Sequence, residues 1–461
     1  MKSNTKLILK AVLFGLFLIF TFNMPAKVVL KNGDVAYGNW TKSHSPYILS
    51  GEIIVPQGKT LNIEPGTLIK CKVGDNNDYS SDKFDQTIIR VNGKLVALGE
   101  PENRVTFTRY SNAGNWGMIL FDNSDPESIL DYCNIEYCSK ITNLIEATVL
   151  KGAITLLPNS NAKIYNCNIE NNIVGIQVSK TDQTKTTYIY NNKFNNNRTA
   201  GIICYNSSDP IIEKNIIENS KTGIICIRYS EPEIKNNIFR NISEGIICYY
   251  KSNAMISNNF INASSDGIML MNKNTVEIIN NIIVGSKFGI SLENESNILI
   301  ENTVISDIMV CGLKLDHRSS AHLQNSVIWN EVPEFWFNDD QSKVSLSYTL
   351  IKNSYQPNQV IDITGNIYGK NPQFINPESY DFRLNCDVLN LENFSPCIDG
   401  GNPEIKYCDA SRSVNTGLWG TKNDLGAFGG QKNSSWSLRD KITLEFSTVF
   451  EDIQFTQLFI K

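Results

Sequence analysis

A chain of 461 residues, 41% hydrophobic and 19% charged, carries enough apolar material for a large core, which excludes an intrinsically disordered protein. Its formal charge of −5 excludes the basic footprint of a nucleic-acid-binding protein, so no nucleic-acid partner is expected.

At the N-terminus Lys2, Lys6 and Lys10 precede an apolar run from Ala11 to Phe22, and Pro25-Ala26 offers a small residue for cleavage. This pattern predicts a secretory signal peptide over residues 1–26 and a mature chain that begins near Lys27. The run is short for a bilayer, so no membrane span is expected after cleavage. Losing three lysines takes the charge from −5 to −8. Such an acidic surface can grip an acidic polysaccharide only locally, through particular lysines or arginines. The expected location is secreted or cell-surface.

From about residue 27 the chain keeps time. Asn236-Asn237, Asn258-Asn259 and Asn280-Asn281 recur every 22 residues, each followed by two large apolar residues. Gly201, Gly223, Gly245, Gly267 and Gly289 keep the same period, and Gly175 and Gly312 fit with small insertions. A period of this size marks a solenoid. The apolar residues alternate in short runs rich in Ile, Val and Phe, which is strand rather than helix patterning. Coils of short strands stack about 4.8 Å apart, so equivalent positions lie above one another. An Asn repeated at one turn position is then expected to form an internal amide ladder and to tolerate the left-handed backbone of the turn.

The Asn-Asn-Ile-Phe and Gly-Ile-Ile-Cys coils resemble the right-handed parallel β-helix superfamily with the pectate-lyase-like fold. The segment from Pro46-Tyr47-Ile48 to Ile63-Glu64-Pro65-Gly66-Thr67 resembles that family's opening coil, as does Val91-Asn92-Gly93-Lys94-Leu95 running to Val105-Thr106-Phe107-Thr108. The resemblance implies an all-β chain, a right-handed parallel β-helix with coils of about 22 residues over residues 27–345. It implies little about function, because this solenoid serves lyases, hydrolases, epimerases, adhesins and scaffolds alike.

Cysteines number 11, an odd count for an exported chain. Cys204, Cys226 and Cys248 share one repeat position, followed there by Leu270, Leu292 and Leu315, so they are expected inside as small hydrophobes. Cys386, Cys397 and Cys408 lie near the C-terminus and could include one disulfide.

Chemistry in such a rod is expected on an outward strand face. Counting outward positions gives Gln177 and Ser179, then Ile203 and Tyr205, Ile225 and Ile227, Ile247 and Tyr249, Met269 and Met271. The apolar stripe Ile203, Ile225, Ile247 and Met269 needs a cover, either the insertion Lys180 to Thr187, the C-terminal module or a protein partner. Further along, Glu293, Lys314, Asp316, Arg318, Trp336 and Asn338 combine carboxylates, cations and an aromatic platform, the mixture that binds sugar rings. By the lyase members of the family, Lys314 would serve as a base with Arg318 lowering its pKa, whereas a hydrolase would use Glu293 with Asp316 as its carboxylate pair. Trp336 and Asn338 are the expected ligand-binding residues. With three histidines, His44, His317 and His322, and no phosphate loop, metal-spaced cluster or nucleotide fingerprint, no metal or cofactor is expected.

Residues 371–430 change composition. Asn371-Pro372-Gln373-Phe374, Tyr380-Asp381-Phe382-Arg383-Leu384, Ser395-Pro396-Cys397-Ile398-Asp399-Gly400-Gly401 and Asn423-Asp424-Leu425-Gly426-Ala427-Phe428-Gly429-Gly430 resemble the choice-of-anchor Q domain, which implies export and display at the cell surface. A module over 346–430 is expected, with Asp381, Asp399 and Asp424 capping turns, followed by a tail, 431–461. The reading as a whole is an exported glycan-interacting or structural surface protein, with a polysaccharide lyase or glycoside hydrolase as the alternative.

Overall fold

The computed structural model describes residues 28–73, 86–138, 152–180, 186–354, 357–386, 394–409 and 422–431. The segment expected to be a signal peptide, most of the Lys180–Thr187 insertion and the tail beyond Gln431 lie outside them.

Each coil is built from three short strands, as in Ile211–Glu213, Ile216–Glu218 and Thr222–Ile227. The first strand of the coil belongs to a 14-stranded sheet, and the other two belong to a 25-stranded sheet that folds around two sides of the rod. Pairing between coils is parallel and in register, so that Ile203, Ile225, Ile247, Met269, Ser291, Lys314 and Trp336 form one continuous column. The result is an all-β right-handed β-solenoid of about 13 turns of roughly 23 residues, with almost no helix. The parallel coils run on through Val360–Thr364 and Ile367–Tyr368. The expected boundary at 345/346 therefore moves to beyond Tyr368, because the last coils lack the Asn-Asn signature yet keep the strand pairing.

Left-handed residues make the corners. In the coil above they are Lys214 and Asn219 at the first two corners and the pair Arg228-Tyr229 at the third, all with φ between 54° and 63°. The Asn beat divides its labour accordingly. Its first member, Asn236, Asn258 or Asn280, takes the left-handed bend. Its second member points inward and builds the ladder: the Asn215, Asn237 and Asn259 side-chain amides donate to the Oδ1 of Asn237, Asn259 and Asn281 at 3.0–3.1 Å. Each Oδ1 also accepts the backbone N–H of the preceding Asn at 2.9 Å, and each amide donates back to an Ile carbonyl one coil earlier. The ladder passes to hydroxyls at Thr303 and Ser326. A second buried ladder, Ser208, Ser230, Ser252, Asn274, Ser296, Ser319 and Ser342, lines the third corner. These groups satisfy backbone donors that the corners would otherwise bury unpaired.

The glycine column answers a different need. A Cβ on Gly245 would lie 2.3 Å from the carbonyl oxygen of Gly267 and 2.6 Å from Ile261 Cγ2, and Gly223 and Gly267 are equally crowded. These residues have ordinary backbone angles; it is the approach of the next coil that leaves no room. Inside, Cys204, Cys226 and Cys248 are fully buried in the position that Leu270, Leu292 and Leu315 occupy above them. Hydrogen bonds from Cys204 and Cys248, with burial, push the Cys226 thiol well above its ordinary pKa. Cys397 and Cys408 are free thiols, which removes the disulfide considered among Cys386, Cys397 and Cys408.

The C-terminal segment lies against the rod. A two-stranded antiparallel ribbon, Phe374–Asn376 with Asp381–Leu384, contributes Phe382 and Leu384 to a cluster that also holds Cys397, Ile398, Leu425, Ala427 and Phe428. This cluster covers Phe260, Ile282, Val304, Val327 and Leu350, an outward column on the short strands that follow the Asn beat. The apolar stripe Ile203, Ile225, Ile247 and Met269 is on another face, so the module is not its cover. Ile203 is buried through Val174, Ala200, Tyr205, Ile225 and Ile227 around it, and Ile247 and Met269 are half-buried. Asp381 accepts the Arg383 N–H two residues on, which makes it a turn cap. Asp424 instead accepts the Asp399 N–H at 2.9 Å across 25 residues, tying two segments together, and Asp399 enters through its backbone.

Candidate functional site

Register brings the expected patch together. Lys314 pairs directly with Trp336 on adjacent strands, and both side chains point away from the core because their neighbours Leu313, Leu315 and Phe335 point into it. Trp336 lies on the last strand of its column and is 48% exposed. Lys314 Nζ sits 3.5 Å from Glu293 Oε1 and 5.5 Å from the centre of the Phe288 ring. Asp316 accepts from the Asn338 side chain at 3.2 Å and from the His317 N–H at 2.8 Å. Trp336, Lys314, Glu293, Asp316 and Asn338 therefore share one face.

Arg318 turns elsewhere. It stands at the double left-handed corner and pairs with Glu295 at 3.2 Å, so the charge proposed to act on Lys314 is committed to another carboxylate. Lys314 is itself committed to Glu293. The lyase arrangement, with Arg318 depressing a free Lys314, is not assembled in this geometry. The carboxylate pair for hydrolysis is divided in the same way, Glu293 facing Lys314 and Asp316 facing His317 and Asn338.

Two features escaped strand counting. Glu244 and Asp266 are register partners on adjacent coils. Thr222 and Ser243 hydroxyls donate to Glu244, and Ser265 and Ser291 hydroxyls to Asp266, so both carboxylates are held in place. The 22-residue step Thr222, Glu244, Asp266 carried the signal. The second feature is a groove of about 600 Å³ along the third corner, over successive coils, walled by Tyr229, Tyr250, Lys251, Lys273, Glu295 and Arg318. It closes at Asp339, where burial works against ionisation but hydrogen bonds from Ser342 and Gln341 outweigh it and hold the carboxyl below its ordinary pKa. Among the described residues, no group of three or more His, Cys, Asp or Glu is gathered as a metal site would require. No helix among them is long and apolar enough to cross a membrane.

The fold defines the class: a right-handed parallel β-helix with a short C-terminal segment clasped to its side. A family described as the right handed beta helix region matches residues 180–332. No curated protein matches the chain. Among solved structures, a mutant form of the periplasmic alginate epimerase AlgG shares 15% identity at a TM-score of 0.45, covering 68% of this chain and 78% of that one. The GH136 lacto-N-biosidase from Eubacterium ramulus shares 12% at 0.36, over 67% and 62%. PfbA, a surface adhesin of Streptococcus pneumoniae, shares 16% at 0.33, over 74% and 92%. At these identities the likeness is one of fold alone.

Proposed function

We propose that this protein is an exported, cell-surface or secreted carbohydrate-binding β-helix, with residues 371–430 forming a choice-of-anchor Q-like module. The observation that carries the binding role is the half-exposed indole of Trp336 standing in line with Lys314, on a flat sheet face whose rim holds Glu293, Asp316 and Asn338. A sugar ring stacks its C–H face on an indole while its hydroxyls bond polar groups at the rim. Parallel strands fix these groups at the coil spacing, so little ordering is needed on binding.

The test is binding of the mature chain to a panel of neutral and acidic oligosaccharides, with Trp336→Ala beside it. At least a tenfold loss of affinity at an unchanged melting temperature is the expected outcome, and equal affinity dismisses the site. Turnover is a second reading, favoured by the hydroxyl-held carboxylates Glu244 and Asp266 on adjacent coils. It is separated by assaying the same panel for unsaturated-product absorbance and reducing ends. Export is checked by N-terminal sequencing, which should begin near Lys27.

A further inference from the structure

The third corner of the coils carries a charge pattern opposite to that of the chain. Its paired left-handed positions read Arg228-Tyr229, Tyr250-Lys251, Asn272-Lys273, Asn294-Glu295 and His317-Arg318 over five successive coils. Four are permanent cations and one is a carboxylate, in a chain whose formal charge is −5. That carboxylate, Glu295, lies between two of the cations, 3.3 Å from Lys273 and 3.2 Å from Arg318. Among the described residues no carboxylate is within ion-pair distance of Lys251. The acidic Asp339 at the end is occupied within its own turn by Ser342 and Gln341. On the flank toward the smaller sheet stand Asp209 and Glu231, the latter accepting from Asn253 at 3.2 Å.

The corner is also rigid. Tyr229, Lys251, Lys273 and Glu295 each donate a backbone N–H to the carbonyl of the next coil's turn at 2.9–3.1 Å, so their side chains project from a hydrogen-bonded stack. The stack repeats at the coil spacing of about 4.8 Å, close to the length of one pyranose residue. Tyr229 and Tyr250, 57% and 50% exposed, provide aromatic faces at one end.

We propose that this groove binds a linear anionic oligosaccharide, lying parallel to the axis of the rod, with successive carboxylate or sulfate groups beside Lys251 and Lys273 and a ring stacked on Tyr250. This rests on the carbohydrate-binding reading and adds to it a second place and a charge class. Each pairing is solvent-exposed and weak alone, so the grip comes from repetition along the chain and is sensitive to salt.

The experiment is titration calorimetry with three hexasaccharides, one a uronate, one sulfated and one neutral, at low and at 0.5 M salt. Wild type is compared with Lys251→Gln/Lys273→Gln, Tyr250→Ala and Trp336→Ala, each first shown to melt as wild type does. Affinity for at least one anionic hexasaccharide should fall tenfold or more in the double lysine variant, and similarly on adding salt, while the neutral sugar is unaffected. Whichever anion responds identifies the source of the charge. Equal anionic affinity in the double variant overturns the proposal, as does wild type preferring the neutral sugar. Should the lysine variant not fold, insensitivity of wild-type anionic binding to salt overturns it as well. If the groove proposal fails while binding still depends on Trp336, the sheet-face reading survives; if no sugar binds, both fall.

Discussion

Asn302 and Asn423 exchange side-chain hydrogen bonds across 121 residues of sequence, Asn302 Nδ2 donating at 2.7 Å and Asn423 Nδ2 returning at 3.2 Å. Asn302 holds the left-handed position at the first corner of its coil, and its amide also reaches the Asp424 carbonyl at 2.9 Å. Asn280 donates to the carbonyls of Ala427 and Gly429, and Asn325 accepts from the Asn402 N–H. Three corner asparagines on three coils thus clasp the C-terminal segment, beside the apolar column it covers.

Asn302→Gly should loosen that clasp without straining the corner, since glycine adopts the left-handed angles freely. Buried acceptors left unpaired cost ~1–3 kcal/mol. Limited proteolysis and hydrogen exchange should show residues 422–431 opening while the coils keep their protection. Unchanged exchange there would show that the bonds from Asn302 are dispensable beside those of Asn280 and Asn325 and the apolar contact.

Within the ladder, Asn237→Ala should cost ~1–3 kcal/mol, because the Asn215 N–H and the Ile212 carbonyl lose their partners in a dry interior. Its neighbour gives the control. Asn236→Gly keeps the left-handed bend and should stay within ~0.5 kcal/mol of wild type. Thermal unfolding of the two variants side by side reads the difference.

Gly245→Ala is expected to be among the most damaging single-methyl changes in the rod. The added carbon meets backbone on one side and Ile261 on the other, so neither can yield without parting two coils. Overpacking of this kind costs ~1–3 kcal/mol and more where backbone must move. Chemical denaturation should place it at or beyond the top of that range.

The buried thiols tie stability to alkaline pH. Burial pushes Cys71 and Cys138 well above their ordinary pKa of 9.0, so the folded chain holds protons that the unfolded chain releases. Stability from these groups is complete below pH 9.0 and declines as pH rises past it. A thiol reagent at neutral pH should reach the partly exposed Cys408 well before the nine buried cysteines, and all 11 after unfolding.

Much of the fold was legible because two periods coincide: alternation along each strand and 22 residues between coils. Together they place Cys204 inside, Lys314 and Trp336 outside, and Asn237 in a ladder. The groove was not legible in the same way, since Tyr250, Lys251 and Lys273 sit at a corner, where left-handed angles break the alternation used to sort inside from outside. Arg318 was misplaced for that reason: it lies near Lys314 in sequence but on the far side of the corner, against Glu295. The docking of the C-terminal segment was hidden more deeply. Asn302 takes the same left-handed corner as Asn236, and its partner lies 121 residues away.

The amide ladder makes the coils interchangeable parts. Asn215, Asn237 and Asn259 each receive from the preceding coil and give to the following one through identical atoms. A 22-residue block duplicated or excised between Asn237 and Asn259 hands every amide to an equivalent neighbour, and the glycine and core columns close across the joint in the same register. The rod can therefore lengthen or shorten by whole coils through simple sequence duplication. Extra residues are accommodated at corners, as in the 23-residue step from Asn192 to Asn215 and the 25-residue step from Cys167 to Asn192, whereas one residue added within a strand would set an inward residue against an outward one.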